Sequence, residues 1–108
     1  MNYVLKNLPV RTEKPRNTGF TMAMDKGLSL RETEDFVDSC SDFVDIVKLG
    51  WATSYVTKKL TEKIAVYREA GIPVYFGGTL FEAFIVRGQF DDYRKVLDKF
   101  GLEYAEVS

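Results

Sequence analysis

The sequence predicts an α/β protein built from parallel βα units, with strands side by side and helices on the outside. Three observations lead there. Short runs rich in β-branched or apolar residues, at 20–25, 45–50 and 74–77, alternate with segments whose apolar residues recur every three or four positions. Strands separated by helical crossovers of this length must run parallel. Each of these runs ends at glycine (Gly27, Gly50, and Gly77 with Gly78), 23 to 28 residues apart, which suits successive units of a (β/α) barrel. The same order of elements also builds a flavodoxin-like open sheet, and periodicity does not choose between the two. An eight-stranded barrel takes about 200 to 250 residues, so a chain of 108 is one domain and about half of such a barrel, with four strands.

Residues 1–19 read as an N-terminal arm, because Arg11, Lys14, Pro15, Arg16, Asn17 and Gly19 set up no period and proline resists regular structure. Residues 20–108 then carry the βα units. The first strand, 20–25, hands over to a helix at Ser29-Leu-Arg-Glu32, the S-x-x-E form of a capping box. That helix runs from about Leu30 to Cys40, with Phe36, Val37 and Cys40 as its apolar stripe. After the second strand, 45–50, Val56, Leu60, Ile64 and Tyr67 recur at helical steps, and Gly71 stops the helix. Pro73 opens the third strand, and Thr79-Leu-Phe-Glu82 has the form of a second capping box for a short helix ending near Gly88. A further helix starts at Asp91 and turns Tyr93, Val96, Leu97 and Phe100 inward before Gly101; residues 103–108 alternate like a fourth strand.

Composition removes several classes of function. Fifteen basic and sixteen acidic residues give a net charge of −1 and lie well mixed, which argues against nucleic acid as a partner. The opening residues, MNYVLKNLPV, fit neither a signal peptide nor a membrane span, so the expectation is a cytoplasmic protein with no membrane partner. With no histidine and one cysteine, Cys40, the usual zinc, Ser-His-Asp and Cys-His sites cannot be assembled from this chain, and Cys40 reads as an inert core residue.

Asp25, Lys48 and Glu106 each stand one or two residues from the carboxyl end of a strand, where a barrel carries its active site and its helix N-termini gather. All three can face one cavity; the structural alternative is a buried Asp25–Lys48 ion pair. Gly77-Gly78-Thr79 lets backbone amides approach an anion such as phosphate at the start of a helix, although turn geometry and a capping box account for the same residues. Trp51, just after Gly50, either closes over a ligand or, as we expect, packs beneath the next helix. Arg16 and Lys14 can fold over the mouth as cationic contacts, or stay solvated in the arm.

The segments "GFTMAMDKGLS", "VDIVKLGWATS" and "VYFGGTLFEAF", followed by "FGLEYAEVS", closely resemble the N-terminal half of the phosphosulfolactate synthase family of coenzyme M biosynthesis, from Gly19 onward. The resemblance implies a (β/α)8 barrel that adds sulfite to phosphoenolpyruvate with Mg2+. Asp25, Lys26, Lys48, Thr53, Gly77, Gly78, Thr79 and Glu82 fall on the family's motif positions, and the Lys14-Pro15-Arg16 arm looks like that of bacterial members. On this basis Lys26 and Lys48 are the expected catalytic residues. Arg16, Thr53, Gly77, Gly78 and Thr79 are expected to bind substrate, and Asp25 and Glu82 to bind magnesium. The proton donor proposed for the family is a lysine of the second half-barrel, so the chain is expected to be a fragment of a full-length synthase, inactive alone and homo-oligomeric; the alternative is a half-barrel that pairs with a second copy to cover its open strand edges. Two other readings stand beside this one: a non-catalytic, self-associating half-barrel that binds an anion, and a different phosphate-handling lyase in which Lys48 forms a Schiff base.

Overall fold

A computed structural model describes residues 1–108. Its elements are β1 (Met22–Asp25), α1 (Leu30–Cys40), β2 (Ile46–Leu49), α2 (Leu60–Glu69), β3 (Val74–Phe76), α3 (Gly78–Ile85) and α4 (Phe90–Phe100). The three strands form one parallel sheet in the order β1-β2-β3. A flavodoxin-like sheet would place β1 between the other two, so the sequential order sets that alternative aside and is compatible with half of a barrel.

Register decides what each face of the sheet carries. Met24 lies beside Lys48 and Lys48 beside Tyr75, while Asp25 lies beside Leu49 and Leu49 beside Phe76. Side chains alternate along a strand, so Ala23, Asp25, Val47, Leu49, Val74 and Phe76 share one face. Here the core forms: Val47, Leu49, Val74 and Phe76 pack with Ile64 and Tyr67 of α2 and Leu80 of α3, flanked by Phe36 and Val37 of α1 and Val96, Leu97 and Phe100 of α4. All four helices therefore cover the same face. The opposite face carries Met22, Met24, Lys48 and Tyr75; Met22 and Met24 are 45% and 39% exposed, an apolar surface of the kind that the inside of a barrel would cover.

Local chemistry explains the element ends. Ser29 accepts from the Glu32 amide and Glu32 from the Ser29 amide, a closed capping box that starts α1 where expected. The Ser29 amide, and then the Ser29 hydroxyl, hold the Glu32 carboxyl below its ordinary range. The second box does not form: α3 begins at Gly78 with Gly77 as its N-cap, and no side chain caps it. α2 begins only at Leu60, because Trp51, Ala52 and Lys59 all have left-handed backbones (φ 60°, 58° and 58°) that a continuing helix cannot contain. Val56 consequently falls outside the helix and is 76% exposed. Gly71, at φ +75°, ends α2 through the Ile72 amide, which donates back to the Tyr67 carbonyl at 3.0 Å.

The expected fourth strand is corrected. Residues 103–108 make no ladder hydrogen bond to β3, and the segment is held by side chains instead, chiefly Glu106. An alternating pattern marks a run that can pair, but a strand exists only where its backbone meets a neighbour.

Tyr93 of α4 is 3% exposed and packs edge-on against Phe81 and Phe84, at 5.3 and 5.6 Å between ring centroids. Its hydroxyl has no hydrogen-bond partner. Burial, and then the negative charge of Glu106, push this phenol above its ordinary range. A buried donor without a partner is destabilising by about 1–3 kcal/mol, so Tyr93→Phe is expected to be neutral or to raise the unfolding free energy by up to about 1 kcal/mol in urea titration. A clear loss of stability would show that the hydroxyl has a partner.

Candidate active site

The arm lies at the amino ends of the strands. Arg16 Nη1 meets Asp45 Oδ1 at 2.8 Å, and both side chains are buried (5% and 4% exposed). Its other nitrogens donate to the carbonyls of Thr12 and Asp42. Asp45, just before β2, also accepts from the Thr21 amide at 2.7 Å. Burial would raise the Asp45 carboxyl, but the Thr21 amide and Arg16 outweigh it and hold it below its ordinary value. Lys14 donates to the Ser41 carbonyl, and Arg11 to Thr21 and Phe43. Arg16 thus straps the arm to the turn between α1 and β2, at the opposite end of the strands from Gly77 and Gly78, and the structure does not bring it together with the other residues expected to bind substrate.

Asp25 is also placed elsewhere. Its parity in β1 turns it toward the helices, where it is 3% exposed. Oδ1 accepts from the Gly27 and Leu28 amides, each at 2.8 Å, while Oδ2 accepts from the Tyr67 hydroxyl at 2.8 Å and pairs with Lys63 Nζ at 2.9 Å. Burial raises this carboxyl, but the Leu28 amide, Lys63, the Gly27 amide and Tyr67 together hold it below its ordinary value. Burial, and then its bond to Asp25, push the Tyr67 phenol up. With four donors already on its two oxygens, Asp25 pairs with Lys63 and not with Lys48, and it lies on the helix side of the sheet, apart from Glu82, the other carboxylate expected to bind magnesium. The signal for Lys63 in the sequence is its place one residue before Ile64 and four before Tyr67, beside the apolar face of α2.

Lys26 and Thr53 line another recess, between the starts of α1 and α2, together with Arg31, Lys58 and Lys59. The Thr53 hydroxyl donates to the Gly50 carbonyl at 2.8 Å, closing the turn after β2. Lys26 therefore does not join Lys48, a separation that follows from Lys26 lying beyond the end of β1.

Four of the expected residues do meet. Lys48, Gly78, Thr79 and Glu82 line one recess of about 160 Å3 with Met24, Trp51, Glu106 and Ser108. Met24 and Lys48 come from the open faces of β1 and β2, Trp51 follows β2, Gly78, Thr79 and Glu82 belong to α3, and Glu106 and Ser108 to the last residues of the chain. Lys48 Nζ lies 2.8 Å from Glu106 Oε2 and 3.0 Å from Oε1, and Oε1 also accepts from the Gly78 amide at 3.0 Å. Lys48, and then that amide, hold the Glu106 carboxyl below its ordinary range. An ammonium and the first amide of a helix thus converge on one carboxylate, as such groups do on anions.

Both glycines are explained by close approach. A Cβ on Gly77 would stand 2.7 Å from Lys48 Cε; one on Gly78 would stand 2.8 Å from Glu106 Oε1 and 2.1 Å from Ser108 Oγ. Trp51, expected to pack beneath the helix, is instead 65% exposed at the edge of this recess, because its left-handed backbone turns it outward. Glu106 is the main partner that strand-end position hinted at without assigning a role.

The family model described as (2R)-phospho-3-sulfolactate synthase (ComA) matches residues 9–108. The chain belongs to the phosphosulfolactate synthase family. It is 43% identical over 108 residues to the phosphosulfolactate synthase of Bacillus subtilis, covering all of this chain and 43% of that protein. Against the phosphosulfolactate synthase of Methanocaldococcus jannaschii it is 44% identical over 92 residues, 83% of this chain and 37% of that protein. The Methanothermobacter thermautotrophicus phosphosulfolactate synthase is 36% identical over 102 residues, 93% of this chain and 40% of that protein. The chain thus spans about two fifths of the length of these phosphosulfolactate synthases. No helix is long and apolar enough to cross a membrane.

Proposed function

We propose that this chain supplies the first βα units of a (β/α)8-barrel lyase that adds sulfite to phosphoenolpyruvate to give phosphosulfolactate, in the cytoplasm and as a homo-oligomer. The observation that carries this reading is the convergence of Lys48 Nζ and the Gly78 amide on a single carboxylate, in a recess also lined by Thr79 and Glu82.

The reaction brings together two mutually repelling anions. The sulfur of sulfite attacks the methylene carbon, a C–S bond forms, and the π electrons move onto C2, where charge spreads into the adjacent carboxylate until a proton is delivered. Sulfite is already a good nucleophile, so the protein's work is orientation and charge stabilisation. Lys48 and the α3 amides neutralise negative charge on phosphoenolpyruvate, and the exposed Thr79 hydroxyl adds a donor beside them. The proton for C2 comes from Lys48 or from a group outside these residues, since Lys26 lies in a separate recess.

Magnesium takes oxygen ligands and keeps several waters, using one or two carboxylates. No three His, Cys, Asp or Glu side chains gather to hold an ion. Glu82, exposed in the recess and with no hydrogen bond to its carboxylate within the chain, fits as a single ligand, directly or through water; Asp25, with both oxygens occupied, does not. When bound, the metal would polarise the substrate's carboxylate or phosphate oxygens.

The test is incubation of the full-length protein with phosphoenolpyruvate and sulfite, followed by 31P NMR. Phosphoenolpyruvate is expected to disappear only when sulfite is present, with a phosphosulfolactate resonance replacing it. The 108-residue chain alone is expected to show no turnover. Absence of sulfite-dependent loss in the full-length protein overturns the proposal.

A further inference from the structure

Lys48 has one polar partner in the chain, and it lies 58 residues away in sequence. A lysine head on a four-carbon stem has several rotamers of similar energy, and Glu106 is the one side chain that hydrogen-bonds Nζ. What selects one is Glu106, which holds Nζ with both oxygens while accepting from the Gly78 amide. Two bare backbones make the arrangement possible: Lys48 Cε passes where a Gly77 Cβ would be, and Glu106 Oε1 sits where a Gly78 Cβ would crowd it. Three separate elements thus agree on one position for the ammonium.

We infer that Glu106 is a positioning residue: anchored on the Gly78 amide, it fixes the Lys48 ammonium at the start of α3, so that the N–H groups of Lys48 it leaves free act on a substrate anion there. This rests on the proposed lyase reaction for its catalytic consequence, but the positioning is measurable without it. Lys48 is 17% exposed and Glu106 33%, so both are reachable by solvent and reagents.

The test uses the full-length protein and Glu106→Gln. Glutamine keeps the length and an acceptor for the Gly78 amide, so the last residues stay seated while the ion pair is lost. Brief acylation of lysines with acetic anhydride, read by mass spectrometry with Lys26 as internal reference, is expected to modify Lys48 about fivefold faster in Glu106→Gln than in the parent. Glu106→Asp is expected to restore part of the protection, which a role in merely anchoring the chain end would not produce. In the sulfite-dependent assay, kcat is expected to fall about tenfold or more with little change in KM. Unchanged Lys48 acylation in Glu106→Gln overturns the positioning role whatever the activity. If instead the parent consumes no phosphoenolpyruvate while Lys48 protection is lost as expected, the reaction falls and the positioning stands.

Discussion

Lys63→Met is expected to lower the unfolding free energy at neutral pH by about 3–5 kcal/mol. Lys63 and Asp25 each have side chains 1% exposed, so removing the ammonium leaves an ionised carboxylate inside the protein with only neutral donors. Tyr67 and the Gly27 and Leu28 amides remain, but they do not cancel the charge. A small domain is stable by about 5–15 kcal/mol, so a loss of this size brings it close to unfolding. The measurement is urea denaturation at pH 7. Adding Asp25→Asn to Lys63→Met removes the stranded charge and is expected to recover part of the loss, with a coupling of about 0.5–3 kcal/mol. Strictly additive losses would show that the pair does not act as one unit.

The same network sets a pH dependence. The folded Asp25 carboxyl titrates below its ordinary value of 3.8, so between the two values the unfolded chain binds more protons and stability rises with pH. The contribution is complete above the ordinary value and is lost as pH falls through the folded one. In Lys63→Met this acid sensitivity is expected to shrink, since Lys63 is one of the groups holding the carboxyl down.

How far the sequence could be read follows from where each signal is local. The helix α1 was legible to the residue because its start is a reciprocal bond between Ser29 and Glu32, three positions apart. The start of α2 was not, because apolar recurrence at Val56 and Leu60 says nothing about the left-handed Lys59 between them. Thr79-Leu-Phe-Glu82 shows that the same four-residue pattern can lie inside a helix that glycine already caps. For the site, the sequence located the carboxyl ends of the strands but could not set the register between them. A shift of one residue turns a side chain to the other face, and that single step separates Asp25, beside Leu49, from Met24, beside Lys48. The long-range partners, Lys63 for Asp25 and Glu106 for Lys48, exist only once the helix and the chain end are folded back.

If the proposed reaction holds, Lys48→Met in the full-length protein is expected to lower kcat/KM for phosphoenolpyruvate by about 10²–10³-fold, the loss typical when one preorganised charge-stabilising group is removed. Methionine matches the stem of lysine and still passes over Gly77, so the change is confined to the charge. Stability should move little, because the Lys48–Glu106 pair is partly open to solvent (17% and 33% exposed) and such pairs contribute about 0–1 kcal/mol. Activity and folding are thereby separated, in contrast to Lys63→Met, where a lysine of the same chain acts on stability. Gly77→Ala provides the steric counterpart. Its new methyl would stand 2.7 Å from Lys48 Cε, a flexible atom that can move, so the fold survives while the ammonium is pushed from the Gly78 amide. Steady-state kinetics with urea denaturation of both variants tests this. An active, stable Lys48→Met would remove the ammonium from the chemistry and leave the α3 amides without their cation.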